Sequence, residues 1–216
     1  MTINLTVRAE VVDVHSDTPQ ANDTLFVDTN VWLWQTYGLP PESNPNRARR
    51  AEQKLRLYTG YLRSALACGA ELKYCGLILS ELAHVIEKTE FDIFKRFNNL
   101  SSLQAKEYRH NYLDEHIVVA AKVRFAWDQV TMLASSADLM VNERLADTAV
   151  SHFQSVALDG YDLFLLEAIR QTGISPVQVL TDDMDYATVP NIQLFTGNGL
   201  VIRCADEQGK LISRRQ

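Results

Sequence analysis

Short apolar runs that stop abruptly at acidic tips, with helical stretches between them, restrict the fold of this chain more than any other feature. Thr24-Leu25-Phe26-Val27 follows the polar turn Gln20-Ala21-Asn22-Asp23 and ends at Asp28-Thr29-Asn30. Val177 to Leu180 ends at Thr181-Asp182-Asp183-Met184-Asp185, and Glu71 to Cys75 and Ile192 to Thr196 are two further candidate strands. Such runs read as short buried strands. Strands separated by helices predict an α/β fold with three layers, α/β/α, around a mostly parallel central sheet.

The intervening segments carry helix signals. Ser43 or Asn44 caps a helix from about Pro45 to Cys68, with Ala48, Ala51, Leu55, Tyr58, Leu62 and Ala65 at helical spacing and Gly69 as its stop. A second helix runs through Leu77, Leu79, Leu82, Val85 and Ile86, with Ser80 and Glu81 near its start. From Phe91 to Phe153 the pattern is helical without a strand. Ser101 and Ser102 serve as caps there, a long stretch spans about Leu103 to Ser135, and another helix covers about Asn142 to Gln154. Asp159-Gly160-Tyr161 opens an apolar helix, Asp162 to Gln171, that stops at Gly173. The organisation expected is an N-terminal extension, 1–23, then a domain over 24–197 with a helical insertion at about 91–155. A tail, 198–216, follows, in which Leu200 to Cys204 could add an edge strand.

With 216 residues, 46% of them hydrophobic and 22% charged, the chain can bury one substantial core. Its longest nearly uncharged apolar runs, such as Val130 to Ala137, fall far short of the ~20 residues that span a bilayer. Residues 1–23 lack the apolar core of a secretory signal, so a cytoplasmic location is expected. The three cysteines form no CxxC pair and read as reduced, mostly buried thiols. A net charge of −6 argues against coating nucleic acid through overall basicity. The Pro45 to Cys68 helix is the exception, since Arg47, Arg49, Arg50, Lys54, Arg56 and Arg63 face only Glu52.

In parallel α/β sheets ligands collect at the carboxyl ends of the strands, and here those ends are acidic. Asp28 ends the first strand, Glu81 lies near the start of the helix after the second, Asp162 begins the helix before Val177 to Leu180, and Asp182, Asp183 and Asp185 follow that strand. Carboxylates converging at one edge repel one another, and a hard cation bound by oxygen relieves the repulsion. Mg²⁺ or Mn²⁺ fits best; zinc fits less well because these segments supply no Cys or His ligand. Such a site suits phosphoryl chemistry.

Four segments in this order resemble the motifs of PIN-domain ribonucleases, a family that includes toxin nucleases. They are Phe26-Val27-Asp28-Thr29-Asn30-Val31, Ser80-Glu81-Leu82, Asp159-Gly160-Tyr161-Asp162-Leu163 and Leu180-Thr181-Asp182-Asp183-Met184-Asp185-Tyr186. The resemblance covers roughly residues 24–90 and 140–197, and the helical segment between is longer than in compact members. It implies a PIN-like fold and a metal-dependent endoribonuclease that leaves a 5′-phosphate and a 3′-hydroxyl. Asp28, Glu81, Asp162 and Asp183 would be the acidic catalytic and metal-binding set, Asp185 a further acid, and Asn30 and Thr181 supporting groups. Asp159 is an alternative to Asp162, and Asp182 to Asp183. Arg47, Arg49, Arg50 and Lys54 would contact RNA phosphates. An antitoxin protein is the partner implied for a toxin, and a homodimer through the helical segment is open.

Each residue also has a plain reading. Asp-Thr-Asn is good turn chemistry, Asp162 could cap its helix, Glu81 and the basic helix could be solvated faces, and the Asp182–Asp185 stretch an acidic loop. Trp32, Trp34 and Tyr37 read as core or lid residues, with base stacking as the functional alternative. An RNA maturation or decay nuclease competes with the toxin reading, and a non-catalytic scaffold competes with both. A phosphatase is disfavoured because Asp28-Thr29-Asn30 lacks the second Asp of an Asp-x-Asp nucleophile.

Overall fold

Two strands whose side chains are buried on both faces set the architecture. In β2 (Thr24–Val27) Leu25, Phe26 and Val27 are all buried, and in β5 (Val177–Leu180) every residue is. A strand buried on successive residues has both faces covered, which is the environment of a parallel sheet between helical layers. The computed structural model describes residues 3–38, 42, 44–137 and 142–212 and shows that sheet. Among the described residues six strands, all parallel, lie in the order β1-β6-β5-β2-β3-β4, with β1 at Glu10–Asp13, β3 at Glu71–Tyr74, β4 at Ser135–Ser136 and β6 at Ile192–Thr196. The chain moves from β2 outward through β3 to β4, and places β5 and β6 on the opposite side of β2. The gap between β2 and β5 is therefore the point where the topology reverses.

Among the described residues there are eight α-helices: α1 (Thr29–Thr36), α2 (Pro45–Cys68), α3 (Leu77–Phe97), α4 (Ala105–Asn111), α5 (Leu113–Leu133), α6 (Glu143–His152), α7 (Gly160–Gln171) and α8 (Gly199–Glu207). Asn44 caps α2 by accepting from the amides of Asn46 and Arg47, Pro45 sits at its start, and Gly69 ends it in the left-handed region at φ 92°. Ser43, the alternative cap, lies outside the described residues. None of these helices is long and apolar enough to cross a membrane.

The structure departs from the expected organisation in six places. Residues 10–13 are not outside the sheet: Val11 and Val12 are buried and β1 pairs with β6, taking the edge. Leu200 to Cys204 is helical, because Asn198 caps α8 and Val201 and Ala205, one turn apart, are its buried positions. The expected boundary near Phe91 falls inside α3, and α5 packs against α1, α3 and β3. The stretch from Leu103 breaks at Tyr112 into α4 and α5. Gln104, with Glu107, caps α4 in place of Ser101 and Ser102. A two-residue strand, β4, interrupts the helical region and pairs with β3. The outer face of α5 leaves Leu113, Ile117, Phe125 and Met132 exposed. Of the free cysteines Cys75 is buried, whereas Cys68 is exposed.

Candidate active site

The ladder carries the candidate site one rung beyond the strands. The Asp28 amide donates to Leu180 O at 3.1 Å and the Thr181 amide to Phe195 O at 3.1 Å, so both backbones remain in register after β2 and β5 end. Their side chains meet at the topological reversal, where ligands gather in open α/β sheets. The Thr181 hydroxyl donates to Asp28 Oδ2 at 2.6 Å, and Asn30 Nδ2 donates to the same oxygen at 2.6 Å and to Thr181 Oγ1 at 2.9 Å. The other carboxylate oxygen of Asp28 accepts from the Thr29 amide at 2.7 Å and caps α1. Helix cap and site residue are thus one side chain.

The same turn reaches α3. The Thr29 hydroxyl donates to Glu81 Oε2 at 2.5 Å, which draws Glu81 to the end of the sheet. Asp162, in the first turn of α7, accepts from the buried Tyr186 hydroxyl at 3.1 Å. Asp183 is held by its own loop: its amide donates to Thr181 Oγ1 at 2.9 Å, and its Oδ1 accepts from the Asp185 amide at 2.9 Å.

The two open alternatives have different surroundings. Asp159 is exposed and accepts from the amides of Tyr161 and Asp162, so it is the cap of α7, whereas Asp162 is half-buried among the other acids. Asp182 turns away from Asp183: its carboxylate pairs with Lys54 and accepts from the Tyr58 hydroxyl at 3.0 Å. The Tyr58 oxygen in turn accepts from the Gly197 amide at 2.7 Å. A Cβ on Gly197 would lie 2.3 Å from Leu57 Cδ2, so glycine there lets the Leu57 side chain of α2 pack against the end of β6.

The acids act on one another. Burial raises the Asp28 carboxyl from its ordinary 3.8 to about 7, with the charges of Glu81 and Asp183 adding to it and the Thr181 and Thr29 hydrogen bonds opposing it. Asp162 rises to about 8, through burial first and then the charges of Asp28, Asp159, Glu81 and Asp183. Burial also raises Glu81, against the Thr29 hydrogen bond, and raises Asp185 at the margin of the cluster. Among the described residues no Lys or Arg forms an ion pair with Asp28, Glu81, Asp162, Asp183 or Asp185. The cluster is thus crowded, partly buried and without a compensating cation.

Its donors are all oxygens, which suits a hard divalent ion. Among the described residues no three His, Cys, Asp or Glu side chains already stand as a metal-holding group. Both oxygens of Asp28 and one of Glu81 are engaged by Thr29, Asn30 and Thr181, and an ion would take the place of some of those hydrogen bonds.

Of the four basic residues expected at the RNA, Arg47, Arg49 and Arg50 are exposed on α2, and Lys54 reaches the acidic loop through Asp182. A groove of about 650 Å³ beside them is lined by His15, Arg50, Gln53, Lys54, Arg56 and Leu57. None of the three aromatic residues after Asp28 stands as an open stacking platform. Trp32 is fully buried, Trp34 packs on Tyr58 at 5.1 Å between centroids, and Tyr37 donates to Glu90. Thr29, Tyr58 and Tyr186 are site residues that the sequence did not single out. Thr29, the hydroxyl residue of the first motif, and Tyr186, the aromatic closing the last, carried a local signal, whereas Tyr58 read only as an apolar position of α2.

No protein-family model matches the chain, and no curated protein matches its sequence.

Proposed function

We propose that this chain is a Mg²⁺- or Mn²⁺-dependent endoribonuclease of the PIN-domain type, acting at Asp28, Glu81, Asp162 and Asp183. The observation that carries this reading is a group of half-buried and buried carboxylates at the topological reversal that meets no Lys or Arg among the described residues. Repulsion of this kind is otherwise a cost with no return, and a divalent cation relieves it. The bound ion would supply an activated water and screening of the phosphate charge. Hydrolysis adds water across the P–O3′ bond, giving hydroxyl to phosphorus and a proton to the leaving 3′ oxygen.

The chain's own groups have separable tasks in this scheme. Thr29, Asn30 and Thr181 fix the Asp28 carboxylate, Thr29 also turns Glu81 inward, and Tyr186 orients Asp162. Arg47, Arg49, Arg50 and Lys54 on α2 offer cations to the RNA backbone on the side of the acidic loop held by Lys54 and Asp182.

The test is incubation of labelled single-stranded and structured RNAs with the purified protein in Mg²⁺, Mn²⁺ or EDTA, beside Asp28→Asn and Asp183→Asn. Cleavage that needs the metal and disappears in both variants is expected. A folded wild-type protein that leaves every RNA intact, or an Asp28→Asn protein that cuts at the wild-type rate, overturns the proposal.

A further inference from the structure

The far end of α7 carries a second cluster of opposite character. Asp162 lies in its first turn and Arg170 in its last, about 12 Å apart at 1.5 Å per residue. Between them Glu167 is buried, only 5% exposed. Its Oε1 accepts from Arg170 Nη1 at 2.8 Å and from His152 Nδ1, at the end of α6, at 2.7 Å. One buried carboxylate thus orients both a guanidinium and an imidazole.

Those two side chains open onto a pocket of about 310 Å³ whose remaining wall includes Arg8, Ser155 and Asn191, and no residue lining it is acidic. Arg170 Nη2 is steadied by Pro190 O at 3.3 Å, and Arg8 Nη1 by Ser155 O at 3.3 Å. Arg8 forms no ion pair among the described residues. The network therefore exceeds what Glu167 needs. One carboxylate is balanced by Arg170, and Arg8 adds an uncompensated positive charge from a different segment, in a protein whose net charge is −6.

We propose that this pocket binds a phosphate group, free or esterified. Two guanidinium forks offer the geometry that phosphate oxygens accept, and the Asn191 side chain adds an amide. With Nδ1–H given to Glu167, His152 presents Nε2 to the pocket. There it accepts from a P–OH, or donates to a phosphate oxygen once protonated. The volume holds a phosphate with part of an attached sugar and is too small for an extended oligonucleotide. The site is independent of the nuclease reading and lies at the opposite end of α7 from Asp162.

The experiment is calorimetric titration of the full chain at neutral pH with inorganic phosphate and, separately, with a nucleoside 5′-monophosphate, for wild type, Arg8→Gln and His152→Gln. Arg170 is left intact because its loss would strand the buried Glu167 charge. Binding of one equivalent is expected, weakened about tenfold in Arg8→Gln because a charge-assisted hydrogen bond is removed, with that variant's thermal midpoint unchanged. Tighter binding of the monophosphate identifies an esterified ligand, and equal or tighter binding of inorganic phosphate identifies the free ion. Absence of binding by both probes, or binding by both variants at wild-type affinity, overturns the proposal.

Discussion

Replacing Thr181 by Val removes a single hydroxyl from the centre of the acidic site and leaves the shape nearly unchanged. Thr181 is fully buried, and its oxygen donates to Asp28 and accepts from Asn30 and from the Asp183 amide. In the variant the Asp183 amide loses its acceptor, and Asp28 Oδ2 keeps only Asn30. The stranded Asp183 amide costs about 1–3 kcal/mol and the lost hydrogen bond to Asp28 about 1 kcal/mol more, so a loss of about 2–4 kcal/mol is expected. With a urea slope of about 2 kcal/mol per molar, the unfolding midpoint falls by about 1–2 M in EDTA at pH 8. The Thr181 hydrogen bond favours the ionised Asp28, so the deficit is larger at pH 8 than at pH 5, where that carboxyl is protonated. A loss under about 0.5 kcal/mol at pH 8, the scale of an ordinary surface substitution, refutes the hydrogen-bonded arrangement described for Asp28.

Three further outcomes follow from the same geometry. Because the folded-state pKa of Asp162 is raised to about 8 from 3.8, its contribution to stability is fully present below the unfolded value. That contribution is lost as pH climbs through the folded one, so wild type should lose stability relative to Asp162→Asn between about pH 4 and 8 in EDTA urea titrations, and a flat difference contradicts this. Tyr58→Phe should cost about 1–3 kcal/mol in thermal or urea unfolding, since it strips the Gly197 amide and Asp182 of a partner. Neutralising Arg47, Arg49 and Arg50 together should lower the slope of log affinity against log salt for single-stranded RNA by about 0.7 for each phosphate that the helix no longer neutralises, and an unchanged slope removes α2 from the RNA path.

The parts of this molecule legible in its sequence are those whose signals are local. β2, β5 and β6 are short, mostly apolar runs, β3 alternates Leu72 and Tyr74 with charged residues, and α2 is bracketed by Asn44 and Gly69, so neighbouring residues suffice to place them. β1 and β4 lack such a signal: Val11 and Val12 are only two apolar residues and Ser135-Ser136 has none, and both become strands by pairing at the sheet edges. Leu200-Val201-Ile202 reads as a strand on β-propensity alone, but the Asn198 cap and the packing of Val201 and Ala205 make it a helix. At the site, the acidic residue types at the strand ends were readable. The different roles of Asp159 and Asp162 depend on cap hydrogen bonds, and those of Asp182 and Asp183 on Lys54 and Tyr58 of the distant helix α2. The positive pocket at the far end of α7 is assembled from four separate segments, none of which forms a motif.

The central claim is that Asp28, Glu81, Asp162 and Asp183 form one divalent-cation site, and Mn²⁺ calorimetry near neutral pH in two buffers of different ionisation heat tests it most directly. The expected result is saturable Mn²⁺ binding at this site accompanied by proton release, because Asp28 and Asp162 are raised to about 7 and 8 and must give up protons to the ion. That binding should be lost or strongly weakened in Asp28→Asn, Glu81→Gln, Asp162→Asn and Asp183→Asn alike. A folded wild-type protein that takes up no Mn²⁺, or one whose binding survives all four substitutions, contradicts it.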